Sequence, residues 1–175
     1  MGFIMFEHLA KIYPLKCTKR KGWLLKGLRD VESVADHSYM LGMLCMLAKV
    51  HYSDSEINFD HCIQIALVHD LAEAQVGDIT PHDNVSDEDK YNLEFNAFRT
   101  LPKEFKMLWL EYETQITIES HFVKDCDKFD MIYQAYLYEQ HQGENLQEFF
   151  DSAKFKTDIV KEWVKYLSSM RNKSE

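Results

Sequence analysis

The sequence predicts a compact all-α helical bundle, and three observations carry that prediction. Apolar residues recur at three- and four-residue spacing through most of the chain, the period of a helix face. Glycine and proline are sparse, at 6 and 3 of 175 residues, which leaves little material for tight turns or linkers. No series of short alternating strands and turns competes with the helical pattern. A chain of this length is expected to form one domain, residues 1–175, with enough sequence to bury a core. Its 46% hydrophobic and 28% charged residues are a globular composition.

Residues 3–13 place Phe3, Phe6, Leu9, Ala10 and Tyr13 at helical spacing, and Pro14 ends that helix. Residues 15–33 are basic, contain Gly22 and Gly27, and read as loop around a short helical turn. Residues 33–50 are helical, with Val34, Leu41, Leu44, Cys45 and Ala48 on one face, and Ser33 followed by Asp36 resembles a helix-starting cap. The next helix starts at Asn58 or Asp60 and runs to Gly77. Ile63, Ala66, Leu67 and Ala74 recur along it, and Ile65 and Val68 widen its apolar surface. That width suggests a central helix covered on more than one side. Residues 78–87 are polar, contain Pro81 and read as a loop. Ser86 caps a helix through Thr100, and Pro102 opens another through Tyr112. Residues 118–141 form one long helix stopped by Gly143, with Phe122, Phe129, Ile132, Tyr133 and Tyr136 as core candidates. Two further helices cover 146–153 and 156–170, the last anchored by Trp163, Val164 and Leu167; the polar tail 171–175 is expected to fray.

The formal net charge of −9 argues against a nucleic-acid partner, because a phosphate backbone attracts Lys and Arg. A small anionic substrate remains compatible, since a bound metal adds local positive charge. Cys17, Cys45, Cys62 and Cys126 form no close Cys-x-x-Cys pair, which argues against a zinc ribbon, and a disulfide framework is not expected at this size. Cys45 and Cys62 read as buried thiols among apolar residues. The first fifteen residues have no basic region ahead of their apolar ones, so they do not read as a signal peptide. No stretch approaches the roughly 20 apolar residues of a membrane span. A soluble intracellular protein with no membrane partner is the expectation.

Chemistry concentrates at His69 and Asp70, adjacent inside the apolar run Ala66-Leu-Val-His-Asp-Leu-Ala72. A buried carboxylate is costly unless paired or metal-bound. Imidazole nitrogen and carboxylate oxygen together suit Mn, Fe, Co, Ni or Zn better than a thiol site would. Separate helices carry His37, which follows Asp36, and Asp127, and a helical bundle can bring such residues to one ion. Simpler roles stay open: a local hydrogen bond for His37, a buried pair for His69 and Asp70, an ion pair with Lys124 for Asp127. Glu73 falls one helical turn after His69 and Asp70, where a carboxylate can orient water or take its proton. Asp78, after Gly77, can serve the departing oxygen as a general acid; capping or ion-pairing is the alternative for both acids. The basic segment Lys16, Lys19, Arg20, Lys21, Lys26 and Arg29 surrounds Trp23. Its cations can hold a phosphate and Trp23 can pack on a base or sugar, or the segment is a solvated loop with Trp23 plugging the core.

The order His37, His69-Asp70, Asp127 resembles the HD-domain superfamily of metal-dependent phosphohydrolases. The segments Val31-Glu-Ser-Val-Ala-Asp-His-Ser38, Ala66-Leu-Val-His-Asp-Leu-Ala-Glu73, Val76-Gly-Asp-Ile-Thr-Pro81, Glu111-Tyr-Glu-Thr-Gln115 and Phe122-Val-Lys-Asp-Cys-Asp-Lys128 are similar to the HD-domain-containing 5′-deoxynucleotidases. The resemblance implies a compact HD-domain helical bundle, often dimeric, so a homodimer is expected. It implies one divalent ion, Mn or Co, with Mg, Zn, Fe, Ni and Cu left open, held by His37, His69, Asp70 and Asp127. It implies hydrolysis of deoxyribonucleoside 5′-monophosphates, with Glu73 as the active-site glutamate, Asp78 as the catalytic aspartate and Trp23 as the substrate-pocket tryptophan, while Arg20 and Lys21 are expected as substrate-binding cations from the basic segment and not from the resemblance. Gly22 stands where a bacterial branch of that family has Arg. Asp36 is expected to orient or neighbour His37. The competing readings are an HD enzyme acting on another nucleotide or phosphate ester, and a non-catalytic helical protein holding a structural metal.

Overall fold

The computed structural model describes residues 2–172, with side chains from Phe3 onward. Of the tail expected to fray, residues 173–175 lie outside the described residues. Among the described residues ten α-helices run in order: α1 (Gly2–Ile12), α2 (Lys21–Leu25), α3 (Val34–His51), α4 (Phe59–Val68), α5 (Glu73–Val76), α6 (Asp87–Phe98), α7 (Lys103–Thr114), α8 (Ile118–Gln142), α9 (Gln147–Ser152) and α10 (Asp158–Arg171). Two 3₁₀ turns, Tyr13–Lys16 and Pro81–Asp83, complete the helical structure among the described residues. The only extended pairing among them is an isolated antiparallel bridge between Lys19 and Ser33.

The helix starts follow the capping chemistry written in the chain. Ser33 accepts the Asp36 N–H while Asp36 accepts the Ser33 N–H, a reciprocal box that opens α3. Asn58 accepts the His61 N–H and opens α4, and Ser86 accepts the Asp89 N–H and opens α6. Gly143, at φ +73°, terminates α8 in the left-handed conformation that glycine adopts at little cost.

α4 packs against α3, α7 and α8, covered on more than one side as its broad apolar surface implied, but the element at the centre is α8, which meets α3, α4, α7, α9 and α10. The main core joins Leu41, Cys45, Ile65, Phe122, Cys126, Phe129 and Ile132, with Val160 and Leu167 closing it from α10. A second cluster fills the α5–α7 end around Phe98 and Trp109, and a third gathers Trp23, Val31, Tyr138 and Leu146.

Two expectations are corrected. The helix from residue 58 to Gly77 is not continuous: it breaks after Val68 and resumes at Glu73. Between them the backbone tightens to i→i−3 hydrogen bonds, Leu71 to Val68 and Glu73 to Asp70 at 3.0 Å each. Over four residues an apolar pattern does not separate a step of about 100° per residue from one of about 120°. Tyr133 is 39% exposed, whereas Tyr136 is half-buried and packs against the main core; Tyr138 is the fully buried tyrosine of α8. Tyr133 follows Phe129 and Ile132 closely but lies past the edge of the stripe they define.

Phe122 is fully buried, with ring contacts to Phe59 and Trp163, whereas Phe3 is 77% exposed. Phe122→Ala should therefore destabilise the fold by about 3–5 kcal/mol, and Phe3→Ala by less than about 0.5 kcal/mol. Denaturant unfolding of the two variants checks the contrast.

Candidate metal centre

His37 sits in the first turn of α3 with no solvent exposure. Its Nδ1–H donates to Asp130 Oδ2 at 2.7 Å, which turns Nε2 toward Asp127 Oδ1 at 3.3 Å and Asp70 Oδ2 at 3.7 Å. His69 caps the end of α4. Its Nδ1–H donates to the Ala66 carbonyl at 2.8 Å, leaving Nε2 at 3.1 Å from Asp70 Oδ2. Both Nε2 atoms are buried without a hydrogen-bond partner. His37, His69 and Asp70 each offer a ligand atom, and these atoms all lie within 4.8 Å of one another. Ligands at about 2.0–2.2 Å from one ion stand no more than about 4.4 Å apart across it. The donor set therefore fits a divalent ion with little movement, and the unpaired Nε2 atoms are what such an ion would satisfy.

Asp127 lies beside this trio on α8. Its Oδ2 accepts the Tyr112 hydroxyl at 2.6 Å and is 3.7 Å from Lys124, so the lysine pairing considered from sequence is present together with the approach to His37. Lys124 also donates to the Tyr112 oxygen at 2.8 Å. Asp36 does not orient His37: its carboxylate is committed to Ser33 in the α3 cap. Asp130 does that work. It falls one turn after Asp127 on the same helix, and this i,i+3 pair of acids was a readable signal that sequence reasoning passed over. Tyr112 was quoted within a motif but given no role.

Glu73 begins α5, is buried, and has one carboxylate oxygen without a partner. Burial, reinforced by Asp70 and Asp78, pushes it up to about 10, so the ion-free protein holds Glu73 protonated. Burial acts on Asp70 in the same direction, yet His69 and His37 outweigh it and hold Asp70 well below the usual carboxylate range. Burial and Arg20 oppose a charge on His37, but Asp127 and Asp130 prevail and raise it to about 9. Asp78 follows Gly77, whose φ of +79° ends α5, and accepts the Lys21 main-chain N–H at 2.6 Å.

The basic segment divides. Arg20 is largely buried, 3.6 Å from Asp70, and the surrounding Asp70, Asp127, Asp78 and Glu32 overcome burial to keep it charged. The Lys21 ammonium pairs with Asp83. Trp23 is 2% exposed, packed against Tyr138 and Phe149, with its indole N–H donated to Glu32 at 2.8 Å. Of the two roles open to Trp23, the structure displays the packing into the core.

A family model described as HD domain matches residues 12–165. The chain belongs to the HD-domain family. Within this family it is 5′-deoxynucleotidase-like. It is 46% identical over 176 residues to 5′-deoxynucleotidase HDDC2 of Dictyostelium discoideum, covering 90% of this chain and 93% of that one. It is 44% identical over 165 residues to 5′-deoxynucleotidase hdd1 of Schizosaccharomyces pombe, covering 86% and 81%. Its fold is similar to that of a conserved hypothetical protein from Pyrococcus furiosus, with a TM-score of 0.78, 30% identity, and coverage of 96% and 99%. No helix among the described residues of this HD-domain chain is long and apolar enough to cross a membrane.

Two predictions follow from the geometry of the HD-domain centre. Asp130→Asn should weaken divalent-ion affinity about 10–100-fold by loosening His37, while Asp36→Asn should leave it unchanged and lower Tm; calorimetric titration with Mn separates them. The second concerns pH. His37 and Glu73 hold protons more tightly folded than unfolded, their ordinary values being 6.5 and 4.5. Their contributions to ion-free stability are complete below those values and are lost as pH rises through about 9 and about 10. An ion must displace the His37 proton. The Tm of chelator-treated protein should thus fall across pH 6.5–9, and the Tm gain on adding Mn should grow over that range. A Mn-induced gain that shrinks as pH rises would contradict the His37 assignment.

Proposed function

We propose that this protein is a metal-dependent 5′-deoxynucleotidase, hydrolysing deoxyribonucleoside 5′-monophosphates to deoxynucleoside and orthophosphate. The observation that carries the reading is the pair of buried, unpartnered imidazole nitrogens facing Asp70, with the buried Glu73 three residues further on. The names of the relatives support the substrate class. His37, His69, Asp70 and Asp127 would hold the ion, with Mn or Co as the native metal. Mg, Zn, Fe, Ni and Cu are compatible with the same nitrogen and oxygen donors.

When bound, the ion supplies Lewis-acid polarisation of a phosphate oxygen and eases deprotonation of water. The chain's own groups do the rest. Glu73, recessed among Asp70 and Asp78, positions the attacking water, and it would take that water's proton once the positive charge of a bound ion had released the proton that the ion-free protein keeps on its carboxyl. Asp78 is held from behind by the Lys21 N–H and delivers a proton to the departing 5′ oxygen, directly or through water. Arg20 stays charged among four carboxylates and balances the phosphate. Lys21 fixes Asp78 through its main chain, and Trp23 acts from the core by holding Glu32, the residue whose carbonyl accepts the Arg20 N–H at 3.2 Å. The reading takes the chain as one domain, as a homodimer, and as an intracellular protein that binds neither nucleic acid nor membrane.

The test is phosphate release by chelator-stripped protein from dAMP, dGMP, dCMP and dTMP and their ribose counterparts, with Mn, Co, Mg or Zn added separately. Release should require metal and favour the deoxy substrates. His69→Ala should lose metal and turnover together, and Asp78→Asn should keep metal while kcat falls about 10²–10⁴-fold. Folded, metal-loaded protein that releases no phosphate from any of these would sink the reading.

A further inference from the structure

The mechanism above leaves Lys90 unused, yet the fold brings it to the same acids. It is the fourth residue of α6, and α6 packs against α5, the helix that carries Glu73. The Lys90 side chain is 38% exposed, with its ammonium 3.7 Å from Glu94 Oε1 one turn further along. That distance is well beyond the roughly 2.7–2.9 Å of a charge-assisted hydrogen bond, so Glu94 steadies the ammonium without saturating it. After Glu94, the carboxylates acting on Lys90 are Asp70, Glu73 and Asp78. The first belongs to the ion-binding trio and the other two are the acids assigned to water and leaving group.

Glu94 is itself buried, and burial, opposed by Lys90 and reinforced by Asp70, lifts it to about 7. At 3.7 Å from Glu94, the Lys90 ammonium keeps N–H donors to spare. A phosphomonoester approaching Asp70, Glu73, Asp78 and Asp127 is an anion entering an anionic neighbourhood, where Arg20 is the cation already assigned. A lysine on a flexible stem with three rotatable donors suits an oxygen whose position shifts during displacement.

We propose that Lys90 is a second phosphate-binding cation: its ammonium, steadied by Glu94, takes a phosphate oxygen of the substrate on the α6 side of the His37–His69–Asp70 centre. A lysine that merely neutralised the acids would behave differently. Removing a pure counter-charge changes stability and leaves phosphate recognition alone. Removing a phosphate contact weakens phosphate binding, while the divalent ion, relieved of a nearby like charge, binds as well as before or better.

The experiment uses Mn-loaded protein, inorganic phosphate as the probe, and the variants Lys90→Met and Lys90→Arg. Calorimetric titration reads phosphate and Mn affinity, and steady-state assays on dAMP read KM and kcat. Lys90→Met should weaken phosphate binding and raise KM about tenfold, Lys90→Arg should recover most of both, and Mn affinity and Tm should hold. Phosphate binding by Lys90→Met equal to that of the unaltered protein overturns the proposal. So does a parallel loss of Tm or Mn affinity that Lys90→Arg fails to repair, and so does unaltered protein that binds no phosphate. The inference rests on the monophosphate reading, but the two fail separately. Lys90-dependent phosphate binding without hydrolysis of any deoxynucleoside monophosphate would support Lys90 and remove the substrate assignment. Full turnover indifferent to Lys90 would do the reverse.

Discussion

His37 and His69 each commit one ring nitrogen to the scaffold, His37 Nδ1 to Asp130 and His69 Nδ1 to the Ala66 carbonyl. Those two bonds fix the ring orientations and leave both Nε2 atoms buried, without a hydrogen-bond partner and within reach of Asp70. An unpaired buried polar atom costs about 1–3 kcal/mol, and the fold carries two of them side by side. Ring contacts flank both imidazoles. His69 lies edge-on to Tyr112 with centroids 5.0 Å apart, and His37 and His69 are 5.3 Å apart. The helices that deliver them, α3 and α4, share a core with α8, so Asp127 and Asp130 arrive on the third side. An ion is the partner that this arrangement accommodates, because a donor that satisfied one imidazole would still leave the other unpaired.

The same neighbourhood drives like residues in opposite directions. Asp70 and Glu73 are three positions apart and both buried, yet Asp70 is held ionised by two imidazoles while Glu73 is pushed to about 10 by burial beside other carboxylates. Partners, not residue type, decide which acid is a charged ligand and which retains a proton. Arg20 belongs to this balance. Its charge survives burial because four carboxylates surround it, and it survives at that place because the main chain pins it there. The Arg20 N–H donates to the Glu32 carbonyl and the Val34 N–H to the Thr18 carbonyl, which ties the approach segment to the start of α3. Trp23 then locks the segment into the core between Tyr138 and Phe149.

Much of the architecture was legible in the chain. The caps Ser33, Asn58 and Ser86 and the stop at Gly143 are local chemistry, decided within four residues of backbone; Ser33, Ser86 and Gly143 stand where the sequence placed them, and Asn58 is one of the two starts it left open. The break after Val68 was not legible, because tightening from α to 3₁₀ winding across His69–Ala72 changes hydrogen-bond length in sequence by one residue while leaving an apolar run apolar.

By itself the sequence determined an all-helical fold, a helix before His69 apolar on more than one side, and the residue types that can share an ion. It also marked the segments by which the chain resembles the HD-domain 5′-deoxynucleotidases. Tertiary structure decided which neighbours those residues meet. It put Asp130 rather than Asp36 behind His37, sank Trp23 into the core, turned Lys21 to Asp83, and packed α6, which carries Lys90, against α5, which carries Glu73. Helix caps and periodicity are set by interactions a few residues long, so they are written in local order. Hydrogen-bond partners 93 residues apart, as His37 and Asp130 are, exist only after the core has closed around α8, because no local energy term distinguishes one buried acid from another.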